Sequence, residues 1–264
     1  MRQLDLCSGV GAGFGIAGLR AGWQLMGVCD NEDYCTDILS KRFPGVPNYG
    51  DVRGLPVQDI RGIDVITASA PCQPFSINGK RLGATDERDC FPAVLESIAR
   101  IQPKFFCIEN VTGLLTCPNY PGQPTGSYFR GVVTTIDSSG YDAEWVCVCS
   151  GHFAAPFLRQ RLLLVGISRC IKLNWERTTP WTNQARNTIE KAGTVAQRRS
   201  AKPGYPERVV RYPAELARPL GIPSGNGTIR KQRQAAGNLL DPRVAAIGVN
   251  RVQYLATIAG VNNY

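Results

Sequence analysis

From Gln3 to Ile167 the chain alternates strand-length apolar runs with stretches whose apolar residues recur at helical spacing, and few folds accept that rhythm. Gln3-Leu4-Asp5-Leu6-Cys7, Leu25-Met26-Gly27-Val28-Cys29, Asp64-Val65-Ile66-Thr67-Ala68 and Lys104-Phe105-Phe106-Cys107-Ile108 read as buried strands. Residues 16–21, 33–43, 91–101 and 128–136 read as helices, two of them stopped by Pro44-Gly45 and Pro103. Residues 145–149 and 161–167 read as late strands forming an antiparallel pair. Repeated alternation predicts an α/β fold: a mostly parallel, doubly wound, Rossmann-like sheet with helices on both faces. At 264 residues with 43% hydrophobic content, the chain can bury a core without staples. Its ten cysteines therefore read as free thiols of a reducing, cytoplasmic compartment, there being no C-x-x-C pair and no secretory leader pattern. Cys147, Cys149 and His152 form the one dense Cys/His cluster; their alternation favours a strand, and no metal is expected. A single histidine leaves little room for hydrolase schemes that need an imidazole base. The apolar runs are too short to span a bilayer.

The net charge of +9 is unevenly placed. Residues 1–166 carry 14 Lys/Arg against 16 Asp/Glu, whereas residues 167–236 carry 14 against 4. A basic stretch behind a near-neutral body suggests a lobe for a polyanion, with nucleic acid favoured over a membrane surface. The α/β rhythm is also lost there. The expected organisation is a catalytic and cofactor-binding domain over 1–167, a small irregular basic lobe over 168–235, and a C-terminal segment over 236–264 that returns to the first domain. That last segment holds a helical pattern over residues 243–258, behind Asp241-Pro242, a favoured helix start.

In open α/β sheets, ligands bind outside the carboxyl ends of the strands. The polar residues at those ends are Ser8-Gly9, Asp30, Asp51, Pro71-Cys72 and Glu109-Asn110. Gly13-Phe14-Gly15-Ile16-Ala17-Gly18 matches a dinucleotide fingerprint literally, but it falls in the expected helix, out of frame with the turn that starts at Gly9. A turn of Ser8-Gly9-Val10-Gly11 still lets backbone amides approach a nucleoside-bearing cofactor, and Asp30 is placed to take ribose hydroxyls. Cys72, on a stiff loop between two prolines, reads either as a nucleophile or as a small buried apolar residue. Glu109 at a strand end is costly to bury without a partner or a proton to handle.

Asp5-Leu6-Cys7-Ser8-Gly9-Val10-Gly11, Pro71-Cys72-Gln73-Pro74-Phe75-Ser76 and Glu109-Asn110-Val111, in that order, resemble the DNA (cytosine-5) methyltransferase family. Gly50-Asp51-Val52, Arg159-Gln160-Arg161, the run from Ala217 to Pro223 and the run from Gln234 to Leu239 are similar to further motifs of that family. The resemblance is to a small bacterial or phage stand-alone member. It implies methyl transfer from S-adenosylmethionine to carbon 5 of a flipped-out cytosine in a short duplex sequence, through a covalent Cys72 adduct at carbon 6. It gives Cys72, Glu109, Arg159 and Arg161 catalytic roles. It puts Asp5, Leu6, Cys7, Ser8, Gly9, Val10, Gly11, Asp30, Asp51, Val52, Asn238 and Leu239 around the cofactor. Residues 73–88 become a mobile loop that meets DNA through Gln73, Ser76, Lys80 and Arg81.

Double-stranded DNA is then the partner, with no membrane and a monomeric chain, and a restriction endonuclease encoded elsewhere is left open. The short recognition stretch between Ile167 and Arg211 suggests a target on the order of two to four base pairs. The sequence departs from the family at Cys7, where phenylalanine is usual, at Asp30, where glutamate is usual, at Phe157, where glutamine is usual, and at Leu239-Leu240, where Ala-Val is usual. Three other readings stand beside this one: an RNA cytosine methyltransferase, a catalytically silent DNA-binding relative, and an NAD oxidoreductase resting on the out-of-frame glycines.

Overall fold

In the computed structural model, six strands form one sheet in the order β2-β1-β3-β4-β6-β5. The structure describes residues 1–153, 159–200 and 240–261, with side chains omitted over 191–200. The strands are β1 (Arg2–Leu6), β2 (Gln24–Cys29), β3 (Val65–Ser69), β4 (Phe105–Val111), β5 (Tyr141–Cys149) and β6 (Gln160–Ser168). β1 pairs in parallel with β2 and β3, and β3 with β4, while β6 runs antiparallel to both β4 and β5. The late pair read from residues 145–149 and 161–167 is therefore antiparallel, and it is inserted so that β6 alone opposes the other five strands.

Strand alternation sorts the core onto two faces. Leu4, Leu6, Ile66, Ala68, Phe106, Ile108, Leu162 and Leu164 face α3 (Phe91–Ile101) and α4 (Ser127–Ser138). Val65, Phe105, Cys107, Leu163, Val165 and Ile167 face the other way, towards α1 (Phe14–Arg20) and the last helix. α2 (Asp33–Arg42) packs Leu39, with Phe43 beyond its end, beside Leu25 and Val28 of β2.

The glycines of the literal dinucleotide match lie on α1 and its cap. A Cβ on Gly18 would sit 2.0 Å from Gln3 Oε1, so glycine there lets the helix approach β1. Their role is helix-on-sheet packing.

Two further helices follow. α5 (Trp181–Ser200) runs for 20 residues where the sequence suggested irregular structure. Its first turns bury Trp181 and Ala185 in the core. The weak apolar rhythm of this helix hid it. α6 (Pro242–Ile258) starts at Asp241, whose carboxylate accepts the Arg243 amide at 2.9 Å, with Pro242 in the first turn. It packs against the sheet, placing Gly248 against Cys107 of β4. Arg251 of α6, 2% exposed, ties three elements together. It donates to Glu144 on β5 at 2.5 and 3.0 Å, to Thr179 O at 2.8 Å and to Gln184 Oε1 of α5 at 2.8 Å. Among the described residues, no helix is long and apolar enough to cross a membrane.

Candidate functional site

The carboxyl ends of β1 and β2 carry the first half of the site. The chain leaves β1 through Cys7, Gly9 and Gly11, all left-handed, with φ of 51°, 54° and 69°. Gly11 has no alternative residue, since a Cβ there would come within 2.4 Å of the Phe43 ring as well as straining the turn. Ser8 pins the turn to β2. Its amide donates to Cys29 O at 2.8 Å, its hydroxyl donates to Asp5 O at 2.7 Å, and it accepts from the Cys29 amide at 3.3 Å. Asp30 accepts the Gly9 amide at 2.8 Å and the Glu32 amide at 3.1 Å. Burial raises the Asp30 pKa, and those two amides pull it back. Asp51 caps the short 3-10 turn Val52–Gly54, accepts the Arg53 amide at 2.9 Å and is held by Asn31 at 3.0 Å.

Three residues expected to line a cofactor face the interior instead. Leu6 and Val10 are core side chains. Asp5, 2% exposed, accepts from Thr67 Oγ1 at 2.7 Å, and Gln3 donates in turn to Thr67 at 2.8 Å. Burial lifts Asp5 to about 7. β1 is covered on both faces, so the neighbouring Asp5 and Leu6 are both buried, and Val10 packs with Ala12 and Ile38; these three positions are left offering backbone to a ligand. Asn238 and Leu239 lie outside the described residues. The next residue, Leu240, is buried against the glycine turn: a Cβ on Gly13 would be 2.9 Å from its Cβ.

The ends of β3 and β4 and the start of β6 carry the second half. Pro71 to Ser76 winds into a tight turn in which the Phe75 and Ser76 amides both donate to Cys72 O, at 3.1 and 2.9 Å. Phe75 is wholly buried, its ring 4.7 Å from Tyr128 and 5.6 Å from Phe91. Burying such a ring is worth about 1.5–3 kcal/mol, which anchors the loop while Cys72 stays half-buried. Asn110 at the end of β4 donates to Ala70 O at 3.1 Å, fixing the start of the Cys72 loop to the neighbouring strand. Glu109 lies opposite Ser69 in the β3–β4 ladder and opposite Leu163 of β6. Its Oε1 is 2.5 Å from Arg161 Nε, and both side chains are below 10% exposed. Burial raises the Glu109 pKa, against the opposing charges of Arg161 and Arg159.

The residues expected to meet DNA divide. Lys80 is exposed, and Gln73 and Ser76 are half-buried at the base of the loop. Arg81, expected to face DNA, is turned inward with a left-handed φ of 52°, donating to Gly113 O at 3.2 Å and Thr116 Oγ1 at 2.8 Å. One carbonyl and one hydroxyl of the turn after β4 hold its guanidinium.

Sequence reading missed Asn48, which braces Asp30 by accepting from its amide at 3.1 Å and donating to its carbonyl at 3.0 Å. It also missed the Gln3–Thr67 support of Asp5. The available signal was two polar residues placed within apolar strands, since a buried polar group needs a partner.

Two halves thus share one sheet edge, a glycine turn flanked by carboxylates and a cysteine loop flanked by a buried Glu–Arg pair. A family model described as C-5 cytosine-specific DNA methylase matches residues 1–215. The chain belongs to that family. Among DNA methylase relatives, it is 34% identical over 174 residues to type II methyltransferase M.NgoBI of Neisseria gonorrhoeae, covering 63% of this chain and 50% of that protein. It is 28% identical over 184 residues to the orphan methyltransferase M.SPRI of Bacillus phage SPR, covering 67% and 40%. The chain spans about half the length of the curated relatives it matches. The fold is that of a putative DNA modification methyltransferase encoded within an E. coli prophage, with a TM-score of 0.63 at 17% identity, covering 97% of this chain and 99% of that one.

Proposed function

We propose that this methylase-family chain transfers a methyl group from S-adenosylmethionine to carbon 5 of a cytosine flipped out of duplex DNA. The observation that carries the reading is the buried Glu109–Arg161 pair across β4 and β6, with β4 tied to the start of the Cys72 loop by Asn110. A carboxyl buried at a sheet edge, raised by desolvation yet held by two arginines, suits a group that must give and take a proton on a neutral base.

The first half of the edge fits the cofactor. Asp30 retains lone pairs for ribose hydroxyls beyond the two amides it accepts, and no atom lies within 4 Å of where a Gly9 Cβ would stand. Ser8 to Gly11 would hold the amino-acid end through backbone, Asp30 the ribose, and Asp51-Val52 the base, with Asn238-Leu239 closing the far side. When bound, S-adenosylmethionine supplies an electrophilic methyl group.

The rest follows from the chain's own residues. Glu109 binds the ring nitrogen and amino edge of cytosine and shares a proton with the ring, making carbon 6 electrophilic. The Cys72 sulfur adds at carbon 6, and electron density moves to carbon 5, which becomes a nucleophile. After transfer, loss of the carbon 5 proton and expulsion of Cys72 restore the aromatic ring. Arg161 orients Glu109, and Arg159 adds positive charge beside it. Base flipping is required because carbon 6 is shielded within the stack.

Residues 1–167 form the catalytic domain in this reading. The basic stretch over 168–235 forms the target-recognition lobe, and 236–264 returns to the cofactor. A monomer acting on DNA satisfies all these roles. Bisulfite sequencing of DNA from a methylation-deficient bacterium expressing the chain, beside one expressing Cys72→Ser, tests the proposal. Protected cytosines at one recurring short sequence, absent with the variant, are expected. DNA left wholly unprotected by soluble protein, with labelled methyl passing to RNA instead, would shift the substrate to RNA.

A further inference from the structure

One guanidinium joins the two halves of the sheet edge. Arg53 lies on the 3-10 turn Val52–Gly54, and its amide donates to Asp51 Oδ1 at 2.9 Å. Its Nη1 reaches Asp51 Oδ2 at 3.5 Å, and that oxygen also accepts from Asn31, the neighbour of Asp30, at 3.0 Å. Its Nη2 serves the second half. It donates to Glu87 O at 2.7 Å, near the end of the Cys72 loop, and lies 3.5 Å from the Cys90 sulfur where α3 begins. Arg53 and Glu87 are 34 residues apart in the chain.

We propose that Arg53 is a positioning residue that couples cofactor binding at Asp51 to the placement of the Cys72 loop. The coupling rests on the methyltransferase reading; the tie between Arg53 and the loop does not.

The two arms of the fork are unequal. The ion pair with Asp51 is long, and its side chains are 48% and 35% exposed, so water and salt screen it. The bond to Glu87 O is short and charge-assisted, the stronger kind of hydrogen bond. The loop end is thus held through Arg53, and Arg53 is held through the backbone of its turn, which Asp51 caps. From Glu87 the hold passes back along the loop. The Asp89 amide donates to Asp86 O at 2.9 Å and the Asp86 amide to Gly83 O at 3.2 Å. The Gly83 amide donates to Pro74 O at 3.2 Å, two residues beyond Cys72.

The loop therefore has two unlike anchors. Its start is fixed by the wholly buried Phe75 ring, whereas its end is held by a half-exposed side chain. The second anchor is the one a ligand can bias. A ligand in contact with Asp51 restricts the turn that carries Arg53. Seating Glu87 against an ordered turn costs less conformational entropy, so the loop settles more readily in the cofactor-bound protein. The effect is reciprocal: a loop seated by DNA strengthens cofactor binding by the same factor.

Hydrogen exchange of the whole chain, followed by mass over residues 83–89, tests this. The amides of Gly83, Ala84, Thr85, Asp86 and Asp89 are all hydrogen-bonded, so their exchange reports opening of the loop end. S-adenosylhomocysteine, the product of transfer, is the probe, used where calorimetry shows saturation. In the wild type it should slow exchange over 83–89 about fivefold or more. Arg53→Met keeps the stem and removes the donors. Without the probe it should exchange faster than wild type over 83–89, and saturation should leave that rate unchanged. Helix α4 should exchange alike in both proteins, which separates a loosened loop from a lost fold. Arg53→Gln, too short to reach both partners, is the second variant and should behave as Arg53→Met does. Wild-type exchange indifferent to bound probe, or equal slowing in wild type and Arg53→Met, overturns the coupling. Equal exchange over 83–89 in the free wild type and free Arg53→Met overturns the tie. If the wild type takes up no probe in calorimetry, it is the methyltransferase reading that fails, and the comparison of the free proteins still decides the tie.

Discussion

The two halves of the sheet edge are built by different means. Beyond β1 and β2 the turn is shaped by backbone: left-handed residues, amides on Asp30, and a glycine that Phe43 leaves no room to replace. Beyond β3, β4 and β6 it is shaped by side chains: a buried Phe75 anchor, the Asn110 tie and the Glu109–Arg161 pair. The first half offers a fixed surface on which a ligand can rest. In the proposed reaction the second holds groups that change protonation or bonding state, and such groups need packing to keep them in place. Substitutions should therefore fail differently in the two halves.

Cys72→Ser should lower methyl transfer on the order of 10³-fold or more, with melting temperature and DNA affinity near wild type, read by labelled-methyl incorporation and gel shift. Glu109→Gln should slow transfer by about 10²–10⁴-fold, since the amide keeps the shape and loses the proton, with S-adenosylmethionine affinity unchanged by calorimetry. In the first half, Gly11→Ala should reverse that pattern. It should cost stability of about 1–3 kcal/mol in urea unfolding and weaken cofactor binding more than it slows the bound enzyme.

Asp5→Asn probes the buried carboxyl through pH. Asp5 binds its proton more tightly folded, at about 7, than its ordinary 3.8, so its folding contribution is most favourable in acid and declines as pH rises between those values. The variant should gain melting temperature relative to wild type at pH 8 and show no such gain at pH 4. The smallest effect is expected at Lys80, exposed on the loop. Lys80→Ala should weaken DNA binding on all sequences alike and lower the salt slope by about one.

How much the sequence revealed follows the same division. The glycine turn was legible because glycine spacing after an apolar strand reports backbone directly, and Asp30 and Asp51 fell at strand or turn ends. Cys72, Glu109 and Arg161 were legible as motif residues, though their packing was not. That Arg81 turns inward depends on the Gly113 carbonyl and Thr116, more than thirty residues away. Asp5, Leu6 and Val10 were placed by motif while their side chains follow strand alternation and core packing. α5 escaped because its apolar rhythm is weak, and Asn48 escaped because a turn asparagine looks the same whether or not it braces a carboxylate.

The central claim is that Cys72 bonds covalently to carbon 6 of cytosine, and a duplex with 5-fluorocytosine at the target position tests it most directly. Fluorine cannot leave carbon 5 as a proton does, so the adduct should persist in the presence of S-adenosylmethionine. Mass analysis should then find the oligonucleotide on residues 62–80, through Cys72, and nothing attached in Cys72→Ser. An adduct on another cysteine, or methylation of ordinary cytosine by a protein that forms no adduct with the fluorinated duplex, would contradict the account.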